Sequence, residues 1–271
     1  MKYSIIASFF LMLIFFSCNS DNHIVEKYKS FNDSIQLRYA PDKRVAIYAV
    51  SIEMENNGVV VKGETNKPKV LETLLEKLIS DNISFKNKVE IFPNEKSGDL
   101  KYAIVNNSVA NIRAKPKHAG ELVTQAILGT KLNVLKSDGS FYLVQTPDAY
   151  ISWVDNGGVT LMDEKEFLKW ESSEKLIYTN LSGNIYQDTE FRFILSDIVL
   201  GAQLKLLEVE KDYYKVEFPD KRIGYIKKME AKLYNNWIQE LAASEELIES
   251  YALDLLGSPY LWGGTSTKAL D

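Results

Sequence analysis

Cysteine and histidine are scarce in this chain of 271 residues. The one cysteine is Cys18 and the two histidines are His23 and His118, so the last third holds no Cys/His pair. The residues there cannot supply a thiolate nucleophile together with an activating imidazole. A single cysteine also excludes an internal disulfide, so each domain must be held together by its core.

An excess of positive charge is also missing. Lys and Arg number 32 against 37 Asp and Glu, which gives a formal net charge of −5. No basic stripe is available to neutralise phosphates, and we therefore expect no nucleic-acid partner. The length and the 45% apolar composition suffice for two or three small domains.

One apolar run, Ile5 to Phe16, is short for a bilayer span but suits the core of an export signal. Ser17-Cys18 follow it and resemble a lipoprotein signal, which implies that residues 1–18 are a signal peptide and that Cys18 is acylated. Asn19 to Asn22 are then a short polar tether. We expect a bacterial protein that is exported and lipid-anchored in the cell envelope. The alternative is plain secretion, with Cys18 removed or buried.

The middle of the chain contains an internal repeat. Residues 108–154 align with residues 180–226 without a gap, at a constant offset of 72 (108 onto 180). Leu128-Gly129 falls on Leu200-Gly201, and Pro147-Asp148 falls on Pro219-Asp220. Short alternating apolar runs separated by turn residues predict strands in both copies. We expect two small β-barrels.

The first copy contains Val109-Ala110-Asn111-Ile112-Arg113 and later Tyr150-Ile151-Ser152-Trp153-Val154, and it resembles a bacterial SH3 (SH3b) domain. The second copy lacks the Asn-Ile-Arg motif, so its assignment depends on the internal alignment. We place the SH3b-like domains at residues 101–165 and 170–234. The resemblance implies docking on cell-wall peptides or shaping of a neighbouring enzyme's cleft. The alternative for each aromatic ring is a place in the barrel core.

Residues 19–100 predict a β-β-α-β module that is similar to BON domains, with a role in spacing and packing. Its predicted elements are a strand over Arg44–Glu53, a turn at Asn57-Gly58, a strand over Val59–Gly63, a helix capped by Thr65 or Asn66 with Pro68 in its first turn, and a strand over Val89–Phe92. Residues 21–40 add a helix before it.

Apolar residues at helical spacing between Asn235 and Leu256 predict a linker helix that ends in a Gly257 cap. The following string, Gly257-Ser258-Pro259-Tyr260-Leu261-Trp262-Gly263-Gly264-Thr265-Ser266 with Leu270-Asp271 after it, resembles the lead-in to the active site of an NlpC/P60 cysteine peptidase. Residues 235–271 are then a linker helix and the truncated start of such a domain. The alternative for the C-terminal segment is a hairpin that packs on the rest of the protein. The fold class we expect for the whole chain is mainly β with α+β parts.

The NlpC/P60 resemblance also implies a site. Members with two SH3b copies cut muropeptides between D-γ-glutamate and a diamino acid, with a Cys and a His expected after Asp271 and no metal or other cofactor. Asp271 is implied to hold the free amine of an N-terminal L-alanine, Tyr260 to orient substrate or stabilise the oxyanion, and Trp262 to shape the wall. Glu121 and Tyr150 are implied to close the far end of the cleft, which restricts it to short peptides with a free amino terminus.

The expected partners are peptidoglycan-derived peptides and, through the lipid anchor, a membrane, and the protein is expected to be a monomer. A second hypothesis retains the lipid anchor and the two barrels but excludes peptidase activity. In this hypothesis the chain is a non-catalytic lipoprotein whose paired SH3b domains bind wall peptides or a partner protein.

Overall fold

The computed structural model describes residues 17–56, 58–94, 99–241 and 244–271. The chain divides into two compact units, Met1–Asn94 and Glu95–Asp271. The predicted signal sequence up to Phe16 and the turn residue Asn57 lie outside the described residues. None of the helices in the described ranges combines the length and apolarity needed to cross a bilayer.

The first unit has the predicted β-β-α-β order behind one additional helix. Its elements are α1 (Ser17–Tyr39), β1 (Tyr48–Glu55), β2 (Gly58–Thr65), α2 (Pro68–Ser80) and β3 (Phe85–Ile91). β1 and β2 are antiparallel, whereas β3 pairs with β2 in parallel after the crossover through α2. The apolar face of α2 is buried as predicted, with Leu71, Leu74 and Leu78 in a core that also contains Tyr28 and Val61.

Two local predictions in this unit are wrong. Residues 19–22 form no tether, because α1 starts at Ser17 and the stretch to Tyr39 contains no Gly or Pro to interrupt it. Thr65 and Asn66 do not cap α2, whose N-cap is Lys67. The Thr65 hydroxyl instead donates to the carbonyl of Ile47 at 2.8 Å, so it ties the end of β2 to the start of the sheet.

The second unit begins with a seven-stranded antiparallel sheet, the first barrel. Its strands are β4 (Tyr102–Val105), β5 (Val109–Arg113), β6 (Leu122–Ile127), β7 (Lys131–Asp138), β8 (Phe141–Gln145), β9 (Ile151–Asp155) and β10 (Val159–Met162). They lie in the order β10-β4-β7-β8-β9-β5-β6, so β6 is an outermost strand. The inward residues of all seven strands form one core, represented by Ile112, Val134 and Val154.

The second barrel repeats this arrangement. Its strands are β11 (Lys175–Tyr178), β12 (Ser182–Tyr186), β13 (Ile194–Val199), β14 (Gln203–Val209), β15 (Tyr213–Glu217), β16 (Ile223–Lys227) and β17 (Ala231–Leu233). Their order, β13-β12-β16-β15-β14-β11-β17, is that of the first barrel read from the other side, and β13 occupies the place of β6.

The structure confirms the offset of 72 in detail. A β-bulge falls between Val134 and Lys136 in one copy and between Leu206 and Glu208 in the other. Both Pro-Asp turns also place a non-glycine residue at positive φ. This backbone correspondence extends to β10 and β17, beyond the aligned residues.

Helix α3 (Glu164–Glu171) connects the barrels and starts with a capping box between Asp163 and Glu166. After the second barrel, the single predicted helix is in fact two, α4 (Tyr234–Glu240) and α5 (Glu245–Asp254). Ser244 caps α5 by accepting the N–H of Leu247 at 3.2 Å. Gly257 has φ +88° in the turn that follows, but the cap position itself is Leu255.

The barrels approach each other closely at Gly129. This residue has φ +88°, and a Cβ placed there would lie 2.2 Å from the carbonyl oxygen of Gln203. The N–H of Gln203 donates to the carbonyl of Leu128 at 2.9 Å, and the Leu128 side chain lies in the core of the second barrel. Both barrels therefore share one packed interface.

Candidate functional site

The residues after α5 fold back as a short hairpin, residues 259–271, whose strands are β18 (Thr265–Ser266) and β19 (Ala269–Leu270). Leu261 N–H donates to the carbonyl of Leu270 at 2.9 Å, and Leu270 N–H donates to the carbonyl of Pro259 at 3.0 Å. The segment is thus a hydrogen-bonded hairpin that packs on the rest of the protein, as in the alternative interpretation of its sequence.

Asp271, Tyr260 and Trp262 share this hairpin. The Asp271 carboxylate accepts the N–H of Gly263 at 2.9 Å, and the Asp271 N–H donates to the carbonyl of Gly264 at 3.0 Å. Burial, and next the neighbouring Asp271 carboxylate, raise the pKa of Tyr260 above its ordinary value. Much of the Tyr260 and Trp262 side chains, 70% and 57%, stays exposed. A ligand can therefore reach both rings and the carboxylate.

Glu121 and Tyr150 lie at one end of the first barrel. Glu121 immediately precedes β6 and its carbonyl accepts the N–H of Ala114 at 2.9 Å, just beyond the end of β5. Tyr150 immediately precedes β9, which pairs antiparallel with β5. The sheet therefore brings both residues to the same end of the barrel. The Glu121 side chain is exposed and that of Tyr150 is half-buried.

The hairpin meets this end of the barrel by running alongside β6. Gly263 lies against the backbone of Val123, and Thr265 lies against Gln125. Both contacts have the same sequence offset, so residues 263–265 run in the same direction as residues 123–125. Before Gly263 the chain turns away, because the Gly264 N–H donates to the carbonyl of Leu261 at 2.8 Å. Gly263, which bonds Asp271, thus lies against Val123, two residues from Glu121, and the contacts given for the described residues include none between Tyr150 and the hairpin.

The charged groups around the two carboxylates include the Arg113 guanidinium, which donates to the carbonyl of Gly120, next to Glu121, at 2.8 Å. In the described part of the chain no Lys, Arg or His forms an ion pair with Glu121 or Asp271, although carboxylates elsewhere, such as Asp81 and Glu217, have lysine partners. A carboxylate without an ion-pair partner beside an exposed aromatic ring, as Asp271 is beside Tyr260, suits an ammonium group. The described ranges hold no cluster of His, Cys, Asp and Glu arranged for a metal ion.

Sequence reasoning missed the residues that hold the hairpin in place, namely Gln125, Asp197 and Lys268. The repeat contained a usable signal, because Gln125 and Asp197 are 72 residues apart. A separate cleft of about 470 Å³, lined by Met162, Trp170 and Pro219 among others, contains none of the predicted site residues.

Comparisons with known proteins agree with this fold. Residues 112–158 match the family model for the bacterial dipeptidyl-peptidase SH3 domain. The gamma-D-glutamyl-L-lysine dipeptidyl-peptidase of Bacillus cereus (strain ATCC 10987 / NRS 248) is 24% identical over 163 residues, which cover 57% of this chain and 48% of that protein. The chain thus spans about half the length of this curated relative.

An NlpC/P60 family protein from Bacillus cereus ATCC 10987 matches with a TM-score of 0.53 and 19% identity, over 63% of this chain and 68% of that chain. An NlpC/P60 endopeptidase from Photobacterium damselae subsp. piscicida, at a TM-score of 0.47, 14% identity and coverage of 66% and 42%, is too dissimilar to add support. Residues 112–158 thus match the bacterial dipeptidyl-peptidase SH3 family model, and the chain shares its fold with an NlpC/P60 family protein.

Proposed function

We propose that this protein holds short peptidoglycan-derived peptides by their free amino terminus, as the substrate-binding part of an envelope cysteine endopeptidase. The bond cut lies between D-γ-glutamate and a diamino acid. The observation that carries the proposal is the placement of two carboxylates without a cation partner, Glu121 on the barrel and Asp271 on the hairpin, where the hairpin runs along β6.

The recognition step is electrostatic. A peptide's terminal ammonium donates to the Asp271 carboxylate, which the Gly263 N–H holds in position. The Glu121 carboxylate at the end of the barrel adds negative potential, and the exposed Trp262 ring flanks the peptide. An acylated amino terminus, as in an uncut chain, has no charge to offer and leaves both carboxylates unpaired.

Hydrolysis requires a thiolate and an imidazole, which the family resemblance puts beyond Asp271. The cysteine and histidines of the sequence are Cys18, His23 and His118, so in this proposal residues 244–271 and the first barrel supply substrate binding and not the nucleophile. The relative named as a gamma-D-glutamyl-L-lysine dipeptidyl-peptidase supports this substrate class.

The same relative and the SH3 family match support an extracellular or envelope location. We further propose that Cys18 carries the lipid anchor. Growth of the expressing bacterium with labelled palmitate should label the wild-type protein but not the Cys18→Ser variant. Equal labelling of the two proteins would remove the anchor from the proposal.

The binding proposal is tested by calorimetry on the full chain with L-alanyl-γ-D-glutamyl-L-lysine and its N-acetyl form. Asp271→Asn and Glu121→Gln should each weaken binding of the free-amine peptide by about tenfold or more, the loss typical of one charge-assisted contact. Glu208→Gln, on the far strand β14, is the matched control and should change nothing. Equal binding of both peptides to the wild-type protein would contradict the proposal.

One observation favours the second candidate, a non-catalytic wall-binding role. Phe193 and Ile194 on the second barrel are exposed, and the Arg192 guanidinium lies 5.6 Å from the Phe193 ring centre. Loss of co-sedimentation with peptidoglycan in Phe193→Ala, with the tripeptide affinity unchanged, would favour this role for the second barrel.

A further inference from the structure

The 259–271 hairpin is held at two residues that the internal repeat makes equivalent. Gln125 lies on β6 and Asp197 lies on β13, the corresponding outermost strands of the two barrels. They are separated by the same offset of 72 residues that relates the two copies. Each contacts the hairpin through its side chain. The hairpin therefore contacts both barrels, and its position depends on equivalent residues of the two repeat copies.

Gln125 makes most of the bonds. Its side-chain oxygen accepts the N–H of Thr265 at 3.2 Å and the hydroxyl of Ser266 at 3.2 Å, while its backbone carbonyl accepts the Thr265 hydroxyl at 3.0 Å. The side-chain NH₂ donates to Asn111 at 2.9 Å and so fixes the orientation of the amide. Both hydrogen bonds given for the side-chain oxygen of Gln125 thus come from the hairpin.

On the other barrel, Asp197 forms an ion pair with Lys268. The neighbouring Thr267 hydroxyl donates to the backbone carbonyl of Leu181, at the start of β12. The side chains of Thr265 and Ser266 are therefore anchored to the first barrel, and those of Thr267 and Lys268 to the second.

These anchors fix the position of Asp271. Gly263 has φ +70° and lies so close to β6 that a Cβ there would be 2.9 Å from the carbonyl carbon of Val123. Gly263 and Gly264 are also the residues that bond Asp271. Val123 lies on β6, two residues along the chain from Glu121. The spacing between the two carboxylates thus depends on how the hairpin is seated on β6.

We propose that Gln125 and Asp197 are positioning residues that set the spacing of the Asp271 and Glu121 carboxylates and thereby the selection for peptides with a free amine. This inference rests on the proposed function of those carboxylates. Neither Gln125 nor Asp197 needs to touch the peptide, because both act through the hairpin.

The test compares Gln125→Leu with Gln125→Glu in the full chain. Leucine removes the acceptor used by Thr265 and Ser266, whereas glutamate keeps an acceptor oxygen at the same place. Gln125→Leu should speed amide exchange at Leu261, Gly263 and Gly264 about tenfold, without speeding exchange in the barrel cores. It should also reduce the affinity ratio of L-alanyl-γ-D-glutamyl-L-lysine over its N-acetyl form by about tenfold. Gln125→Glu should restore both quantities.

Asp197→Asn should have the same effects to a smaller extent, because its ion pair with Lys268 is about half exposed. Lys215→Ala breaks a surface ion pair with Glu208 on the second barrel and serves as the control that should change neither quantity. A free-amine selectivity that persists in Gln125→Leu overturns the positioning role and leaves the proposed function standing. A wild-type protein that binds both peptides equally removes the proposed function, and the selection by these residues with it.

Discussion

The Leu128 side chain comes from the first barrel but belongs, with Leu204, to the core of the second. Leu128 is 1% exposed, and its carbonyl accepts the N–H of Gln203 at 2.9 Å. The second core is therefore completed by a residue that its own strands do not supply. The two barrels should behave as one cooperative unit.

Leu128→Ala should lower the free energy of unfolding of the two barrels together by about 2–5 kcal/mol, because it leaves a cavity in a closed core. Denaturant unfolding followed by tryptophan fluorescence measures the loss. Leu207→Ala, at an exposed site on β14, is the control and should cost far less. Separate transitions for the two barrels in the wild-type protein would contradict the shared core.

Gly129→Ala and Gly139→Ala separate backbone strain from lack of space. Both residues have positive φ, +88° and +56°, but a Cβ at Gly139 meets nothing within 4 Å, whereas one at Gly129 meets the Gln203 carbonyl. Gly139→Ala should cost about 1 kcal/mol, the usual penalty for this backbone region. Gly129→Ala should cost several times more, because the barrels must also move apart. Equal losses of thermal stability would contradict the close approach.

The repeat predicted much of this fold because its strands carry their pattern in their own residues. β7 and β14 alternate apolar and polar residues up to their bulges, and the Gly and Pro-Asp turns mark the ends of the strands in both copies. β10 and β17 were missed because they are only 4 and 3 residues long and follow a 3-10 turn, so no period can be recognised. The break between α4 and α5 was missed because the apolar spacing continues through it.

The candidate site was predictable only in part. The sequence motif identified Tyr260, Trp262 and Asp271, but their contact with β6 depends on Gln125, which lies 140 residues from Thr265 along the chain. Such a contact between distant segments leaves no periodic signal in either one. The sequence does show that Gln125 and Asp197 occupy equivalent positions of the repeat. This equivalence predicts a shared contact only once the structure shows that both residues lie on outermost strands.

Tyr260 should report on the Asp271 carboxylate. Burial and this neighbouring negative charge raise the pKa of Tyr260, since both disfavour the phenolate. Asp271→Asn should therefore lower the pKa of Tyr260 toward its ordinary value, as followed by the ring carbon shift in NMR. The pKa of Tyr213, raised by burial and then by Glu210, should stay where it is. An unchanged Tyr260 titration would mean that the two side chains do not interact in solution.

Lys175 should lose its proton at a lower pH than an ordinary lysine. Burial lowers its pKa to about 8 from the ordinary 10.5, although its ammonium donates to Ser173 Oγ at 2.8 Å. A lowered pKa means that the unfolded chain binds more protons between pH 8 and 10.5, so the free energy of unfolding should rise with pH across this window. We expect a rise of about 1 kcal/mol, allowing for partial exposure.

The comparison protein for this titration is Lys175→Met, which should lack that part of the pH dependence. Lys215 provides an internal reference, because its hydrogen bond to Glu208 raises its pKa. Side-chain carbon shifts of the two lysines, measured in one NMR titration, should separate by more than two pH units. Identical midpoints would show that the Lys175 ammonium is hydrated.

The seating of the hairpin on β6 also has a consequence for solubility. An outermost strand presents unpaired peptide groups that can recruit a strand of another molecule. Here the Thr265 hydroxyl donates to the backbone carbonyl of Gln125, and Gly263 covers the backbone at Val123. A molecule whose hairpin detaches would expose a ready template for edge-to-edge self-association, so the segment that carries Asp271 should also hinder pairing between copies of the protein.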